Sequence, residues 1–276
     1  MSPNQFWERA QGKYQRIAYT ALFREPVRMR NEAALISFSF DDFPRTAYQA
    51  GGSILRAHGF RGTYYAALGL MGRHAAVGEI FSREDLCNVV SDGHELGCHT
   101  FAHCHSWNTA PSAFEESIIE NERRLRELLP EASFKTLAYP IAGPRPHTKR
   151  RAARHFPCCR WGGQTYNVGV TDRCLLSGFF LEQSTHEPDA VKRTIDGNAE
   201  DCGWLIFATH DVCETPTRFG CTPGFFEDVV RYAKHSGARI LPVGEAFDVV
   251  CGKVSAETRS REDRSYVPRP ESTATL

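Results

Sequence analysis

From residue 33 onward the chain alternates short apolar runs with longer stretches in which apolar residues recur every three or four positions. The first pattern predicts strands, the second helices that cover them, and their alternation predicts a parallel sheet or barrel. Ala33 to Phe40 (AALISFSF) reads as the first strand and Thr46 to His58 as the following helix, closed by Gly59. Phe60 to Leu68 predicts a second strand. Ser82 with Asp85 has capping-box spacing at the start of a short helix, and Asp92-Gly93 ends it before a third strand near His94 to His99. Ser112-x-x-Glu115 then opens a helix over Phe114 to Leu129, in which Phe114, Ile118, Leu125 and Leu129 share one apolar face. A fourth strand over Phe134 to Tyr139 is followed by a basic helix from His147 to His155 and by strands near 157–161 and 174–181. Pro188 starts another helix, Trp204 to Thr209 (WLIFAT) reads as a fully buried strand, Thr222-Pro223 caps a helix to Ser236, and Arg239 to Val243 is the last strand.

About seven such units in roughly 220 residues predict a single-domain distorted (β/α) barrel with about seven parallel strands. The expected organisation is an N-terminal extension over 1–32 packed on the barrel, a catalytic domain over 33–252, and a polar flexible tail over 253–276. Lys plus Arg and Asp plus Glu each total 33, so no overall excess of positive charge favours nucleic acid or an anionic membrane. No apolar run approaches the length of a membrane span. Charges at Glu8, Arg9, Lys13 and Arg16 interrupt any secretory apolar core, so the expected location is cytoplasmic. The ten cysteines are scattered without a CxxC pair and read mostly as reduced core thiols.

In a barrel of this kind functional side chains sit just past the carboxyl ends of strands. Three polar interruptions fall there. Asp41-Asp42 follows SFSF, and two adjacent buried carboxylates repel each other unless a cation or a proton-transfer task is present. The same pair also fits a helix cap beside a solvated carboxylate. His99 and His103, at i and i+4 in HTFAH, share one face if that segment makes a helical turn, and both rings then reach one divalent ion, although a chain with 11 histidines can hold such a pair by chance. His210-Asp211 follows WLIFAT, where His210 suits a general acid or, equally, a core histidine with one hydrogen bond. Taken together, one carboxylate and two imidazoles suit a catalytic zinc site with an open position, leaving one carboxylate and one histidine as an acid/base pair.

In this order these residues resemble the polysaccharide deacetylase family (carbohydrate esterase family four, which includes the nodulation-type chitooligosaccharide deacetylases). The motif T-F-D-D-G of that family appears as Ser39-Phe-Asp-Asp-Phe43, and H-[S/T]-x-x-H as His99 to His103, preceded by Gly93-His-Glu-Leu-Gly97. The resemblance spans about residues 33 to 250. It implies Asp41 as catalytic base, Asp42, His99 and His103 as ligands of a divalent metal (Zn2+, or Co2+ or Ni2+), and His210 as acid. The R-x-P-[Y/F] motif is altered: in Leu137-Ala-Tyr-Pro-Ile141, Ala138 replaces the arginine and Ile141 the aromatic. The Ile141 backbone amide still suits oxyanion binding, and Arg160, one strand on, is either a substitute cation or a surface charge. No Asp-Trp motif is recognisable, although Trp161 and Asp172 lie in that region. Tyr139 and Trp161 are candidate substrate contacts, and Tyr64, Tyr65 and Trp107 are further candidates for stacking on sugars.

The activity so implied is removal of an N-acetyl, or less readily an O-acetyl, group from a sugar or oligosaccharide. Two alternatives stand beside it. One is a C–N hydrolase of the same fold acting on a small amide or formamide; the other is a non-catalytic metal-dependent carbohydrate-binding protein, suggested by the altered arginine motif.

Overall fold

The computed structural model describes residues 3–253. Seven parallel strands close a barrel: β1 (Leu35–Phe40), β2 (Thr63–Ala66), β3 (Glu95–Cys98), β4 (Leu137–Ala138), β5 (Cys159–Gly163), β6 (Leu176–Phe180) and β7 (Trp204–Thr209). Closure comes from β7 against β1, in register from Trp204 opposite Leu35 to Thr209 opposite Phe40. Every residue of both strands is buried, which is why LISFSF and WLIFAT lack the alternation of a half-exposed strand. The distortion lies on the other edge of β1. There β2 pairs with Ser39 and Phe40, while an eighth short strand, β8 (Arg239–Ile240), pairs with Leu35 and Ile36.

Helices α1 (Pro3–Ala21), α2 (Ser53–Ala57), α3 (Arg83–Ser91), α4 (Pro111–Leu128), α5 (Pro146–Ala152), α6 (Pro188–Glu200), α7 (Pro223–His235) and α8 (Val243–Val250) surround the sheet. Ser82 and Asp85 form a full capping box on α3, and the Thr222 hydroxyl accepts from the Phe225 N–H at the start of α7.

Several boundaries differ from the sequence reading. The helix expected over Thr46 to His58 begins as a π-helix, Ala47–Gly52, before α2. Gly51 and Gly52 let it approach the barrel: a Cβ on Gly51 would meet the Phe40 ring at 2.8 Å. The α4 cap is not Ser112; the helix opens at Pro111 without a side-chain cap, and Glu115 instead pairs with Arg151 and His155. The strand expected over Phe134 to Tyr139 is reduced to Leu137–Ala138, and the last strand stops at Ile240 because Pro242 caps α8, a helix the periodicity left unread. Tyr64 and Tyr65 are fully buried in the barrel wall and cannot stack on a substrate; Tyr64 packs on Phe40 at 4.8 Å between ring centroids.

The N-terminal segment packs against the barrel through α5. Lys149 donates its ammonium to the carbonyls of Tyr19 and Leu22 at 3.0 Å each and pairs with Asp172, while the Tyr19 ring lies 4.8 Å from that of Trp161. All ten cysteines are free thiols, and five are buried. From residue 254 on, the expected tail lies outside the described residues.

Candidate active site

A cleft of about 680 Å³ opens at the carboxyl ends of the strands. Asp41, Asp42, His99, His103, Ile141 and His210 all line it, as do Tyr139 and Trp161. Its backbone is unusual. Asp42, His103, Ile141 and Gln164 in its lining and the adjoining Phe43 and Thr100 all hold left-handed φ angles, six of the eight non-glycine residues that do so among the described residues. Each such conformation costs on the order of 1–3 kcal/mol, and clusters of them mark functional sites. They also correct the histidine geometry: residues 99–103 form a loop, not a helical turn, and left-handed Thr100 and His103 aim both rings at Asp42.

One potential ligand atom from each of Asp42, His99 and His103 lies within 4.8 Å of the others. Asp42 Oδ1 is 3.0 Å from His103 Nε2 and 3.5 Å from His99 Nε2, yet it is buried and accepts no well-aligned hydrogen bond. A carboxylate oxygen and two imidazole nitrogens converging on one point form a donor set suited to a divalent cation. His99 Nδ1 is 2.8 Å from the Ala138 carbonyl, to which it donates, leaving Nε2 free to ligate. Burial lowers the His99 pKa to about 4, which keeps the ring neutral. At Asp42 burial works against ionisation, but His103 and His99 outweigh it and hold the carboxyl well below the usual range.

Asp41 faces a different partner. Arg160, itself fully buried, donates from Nη2 to Asp41 Oδ1. Burial raises the Asp41 pKa, but the guanidinium and then His99 and His210 pull it below its ordinary value. Ala138 and Arg160 are in-register neighbours on β4 and β5, so the guanidinium is carried one strand over from Ala138 at the same level of the barrel. Gly178 on β6 leaves it room, since a Cβ there would sit 3.1 Å from Arg160 Cδ. The rings of Tyr65 and Phe180 flank the guanidinium at 5.0 and 5.5 Å.

His210 Nδ1 is 3.1 Å from the Phe219 carbonyl, which only a protonated Nδ1 can donate to, so Nε2 is its free nitrogen. Asp211 is structural: it accepts from the Thr217 N–H at 2.7 Å and the Thr217 hydroxyl at 2.6 Å, fixing the loop that presents Phe219. Among the described residues the Ile141 N–H has no protein acceptor, while the Ile141 side chain is 65% exposed at the rim.

The histidines flanking residues 99–103 stand outside the site: His94 accepts from the Gly62 N–H in the core, and His105 accepts from the Trp107 N–H in a turn. Asp172 pairs with Lys149, and Trp107 packs edge-on to Tyr14 rather than lining the cleft. Glu182 was missed. It stands just past the end of β6 in the cleft wall, and burial, with Asp41 nearby, raises its pKa to about 8. The Phe219 carbonyl has no sequence signal at all, whereas an acidic residue just past a strand end is the pattern that had pointed to Asp41.

The polysaccharide deacetylase family model matches residues 28–157, which hold the first four barrel strands with Asp41, Asp42, His99, His103 and Ile141. Over those residues the chain is similar to the polysaccharide deacetylases. Arg160 and His210 lie beyond the matched residues. No curated protein matches the chain. Among solved structures, the chitin deacetylase of the fungal pathogen Colletotrichum lindemuthianum is 16% identical with a TM-score of 0.57, covering 80% of this chain and 89% of that one. A family 4 acetyl xylan esterase from Clostridium thermocellum, in complex with a cobalt ion, is 18% identical with a TM-score of 0.55 over 78% and 91%. A pseudoenzyme of the same esterase family from Bacillus anthracis is 10% identical with a TM-score of 0.56 over 81% and 68%. At these identities the likeness shows the deformed (β/α) barrel fold of the polysaccharide deacetylases.

Proposed function

We propose that the cleft hydrolyses an acetyl group from a sugar or oligosaccharide, N-acetyl in preference to O-acetyl, with a divalent cation held by Asp42, His99 and His103. The observation that carries this reading is the juxtaposition of that donor set with a separate carboxylate, Asp41, held ionised by Arg160. A cation such as zinc, when bound, supplies a Lewis acid for the acetyl carbonyl and acidifies water. Asp41, kept ionised beside the Arg160 guanidinium, takes the proton of the attacking water. The free Ile141 N–H stabilises the developing oxyanion, a contribution of about 3 kcal/mol for one well-placed donor. His210, oriented through Nδ1 by the Phe219 carbonyl, delivers a proton from Nε2 to the leaving amine, so that acetate and an amino sugar are the products. Half-buried Trp161 offers aromatic surface in the cleft wall, whereas the Tyr139 ring is buried and lies 6.3 Å from that of Phe114.

The altered arginine motif had suggested a non-catalytic binding protein. The Arg160–Asp41 pair supports the catalytic reading over that alternative, because it gives Asp41 a cation from the neighbouring strand. Acetate release from chitooligosaccharides and from acetylated xylan, each with added zinc or cobalt, tests the proposal. Release from the first in excess of the second supports the N-acetyl preference. Binding of either without any acetate release would leave the carbohydrate-binding alternative instead, and turnover of small formamides alone would select the C–N hydrolase.

A further inference from the structure

The formal neutrality of the chain hides a strong local asymmetry. Segments 10–30 and 141–155 together contain ten Lys or Arg and one acidic residue, Glu25. The fold brings the two segments together, since Lys149 of α5 binds the carbonyls of Tyr19 and Leu22. On the outer surface Lys13, Arg16 and Arg24 are exposed from the first segment and Arg150 and Arg154 from the second. Among the described residues none of these five is paired with a carboxylate, whereas Arg151 beside them pairs with Glu115 and Glu25 pairs with Arg173.

The same surface is apolar. Of the nine large hydrophobic side chains that stand exposed among the described residues, four fall within ten residues: Tyr14, Ile17, Leu22 and Phe23, at 66%, 56%, 51% and 40%. Ala10, Tyr14, Ile17 and Ala21 follow i, i+4, i+7, i+11 spacing and form one stripe along α1. Tyr14 at one edge of the stripe packs edge-on against Trp107, while Ile17 and Ala21 face away from the barrel, because the buried face of the helix is the one carrying Ala18 and Tyr19. Phe23 continues the patch onto α5, lying 5.1 Å from the His147 ring and 5.3 Å from the Arg150 guanidinium. On the buried face of the helix the Tyr19 ring covers Gly143, which lines the cleft two residues from exposed Ile141.

We propose that the outer face of α1, with the adjoining face of α5, docks on an anionic lipid surface. An amphipathic helix whose apolar stripe is bordered by Lys and Arg gains from burying that stripe at the headgroup boundary and from attraction to anionic lipids. Charge decides between occupants. A second copy of the chain would set one cationic face against another. Residues 254–276 hold four basic and four acidic residues and little large apolar surface, so they complement neither the charge nor the stripe. A nucleic acid would use the charge and leave the apolar stripe in water. None of the described helices is long and apolar enough to cross a membrane, so the association is peripheral. The inference is independent of the chemistry assigned to the cleft.

The test is co-sedimentation of the full chain with phosphatidylcholine vesicles with and without phosphatidylglycerol. The expected result is binding only where phosphatidylglycerol is present, weakening as salt is raised. Lys13→Gln with Arg16→Gln should lower vesicle affinity about 30-fold, the equivalent of about 1 kcal/mol per basic side chain at an anionic surface. Ile17→Ser with Leu22→Ser should lower it as well while leaving the melting temperature unchanged, since both side chains are exposed. The proposal is overturned by absence of binding to the phosphatidylglycerol vesicles, by equal binding to both vesicle types, or by binding that survives both pairs of substitutions. Retention on DNA without vesicle binding, or self-association lost in the Ile17/Leu22 variant without vesicle binding, would equally overturn it.

Discussion

Replacing Arg160 by Met keeps most of the side-chain volume and removes the charge that faces Asp41. Both groups are buried, Arg160 at 1% exposure and Asp41 at 4%, so solvent cannot take over the role of the guanidinium. Removing one partner of such a pair costs about 3–5 kcal/mol, because the other is left as an uncompensated buried charge. The carboxyl can escape by binding a proton. At 1.36 kcal/mol per tenfold change in proton affinity, that penalty raises the affinity of Asp41 by roughly two to four powers of ten from a starting point below its ordinary value of 3.8. The acidic limb of the pH profile of kcat/KM should therefore move up by about two pH units or more, with activity recovering toward alkaline pH. The stability sign follows. In the unaltered protein the depressed Asp41 pKa contributes stability above the unfolded value, lost as pH falls through the folded one; in the variant the raised pKa makes stability fall as pH rises. Kinetics and thermal melts from pH 4 to 9 measure both (the range is roughly that in which small domains hold their fold). Because Ala138 lies in register with Arg160, a double variant, Arg160→Ala with Ala138→Arg, should move the acidic limb part of the way back. An Arg160→Met protein with unchanged turnover and an unchanged acidic limb would refute the reasoning.

Three further outcomes follow from the site and the barrel. Asp42→Asn should weaken metal affinity, since an amide oxygen is a poorer donor than a carboxylate, whereas Asp41→Asn should keep the ion and lose activity by roughly 100-fold; metal content by mass spectrometry beside turnover distinguishes them, and the reverse pattern would exchange the two roles. Glu95 is bonded to Thr63, Thr136 and Gly244, and burial raises its pKa to about 7, so the folded chain holds a proton that the unfolded chain releases near 4.5 and stability declines as pH rises between those values. Glu95→Gln should remove that decline and gain up to about 3 kcal/mol at pH 8 in denaturant titrations. Ile141→Gly should stabilise the fold by about 1 kcal/mol, by relieving a β-branched residue at φ 68°, and keep turnover because the backbone donor remains; loss of turnover would show that the side chain matters.

The parts of this architecture legible in the sequence are those set by neighbours along the chain. LISFSF and WLIFAT are apolar without alternation because each is covered on both faces, and Asp41-Asp42 and His210 stand out because they break the pattern where such strands end. The Ser82 capping box is equally local. What local pattern could not supply is set across space. The path of residues 99–103 depends on left-handed Thr100 and His103, which look like a helical repeat on paper. The Phe219 carbonyl reaches His210 only through the loop that Asp211 ties down, and Tyr64 and Tyr65 read as possible sugar platforms until the barrel closes around them. Arg160 is an intermediate case: its strand was readable, but its partner is 119 residues away. The basic residues of 10–30 and 141–155 were also in plain view. Their meeting on one face was not, and the balanced total charge concealed it.

The most direct test of the account is a zinc titration of metal-stripped protein, with bound metal and acetate release from a chitooligosaccharide followed in the same samples. The account predicts no release without the ion, then release and occupancy rising together to one ion per chain, and neither rising in the His99→Ala, His103→Ala double variant. Full activity in the stripped protein, or one ion bound through Asp42, His99 and His103 with no acetate released from any acetylated sugar, would contradict it.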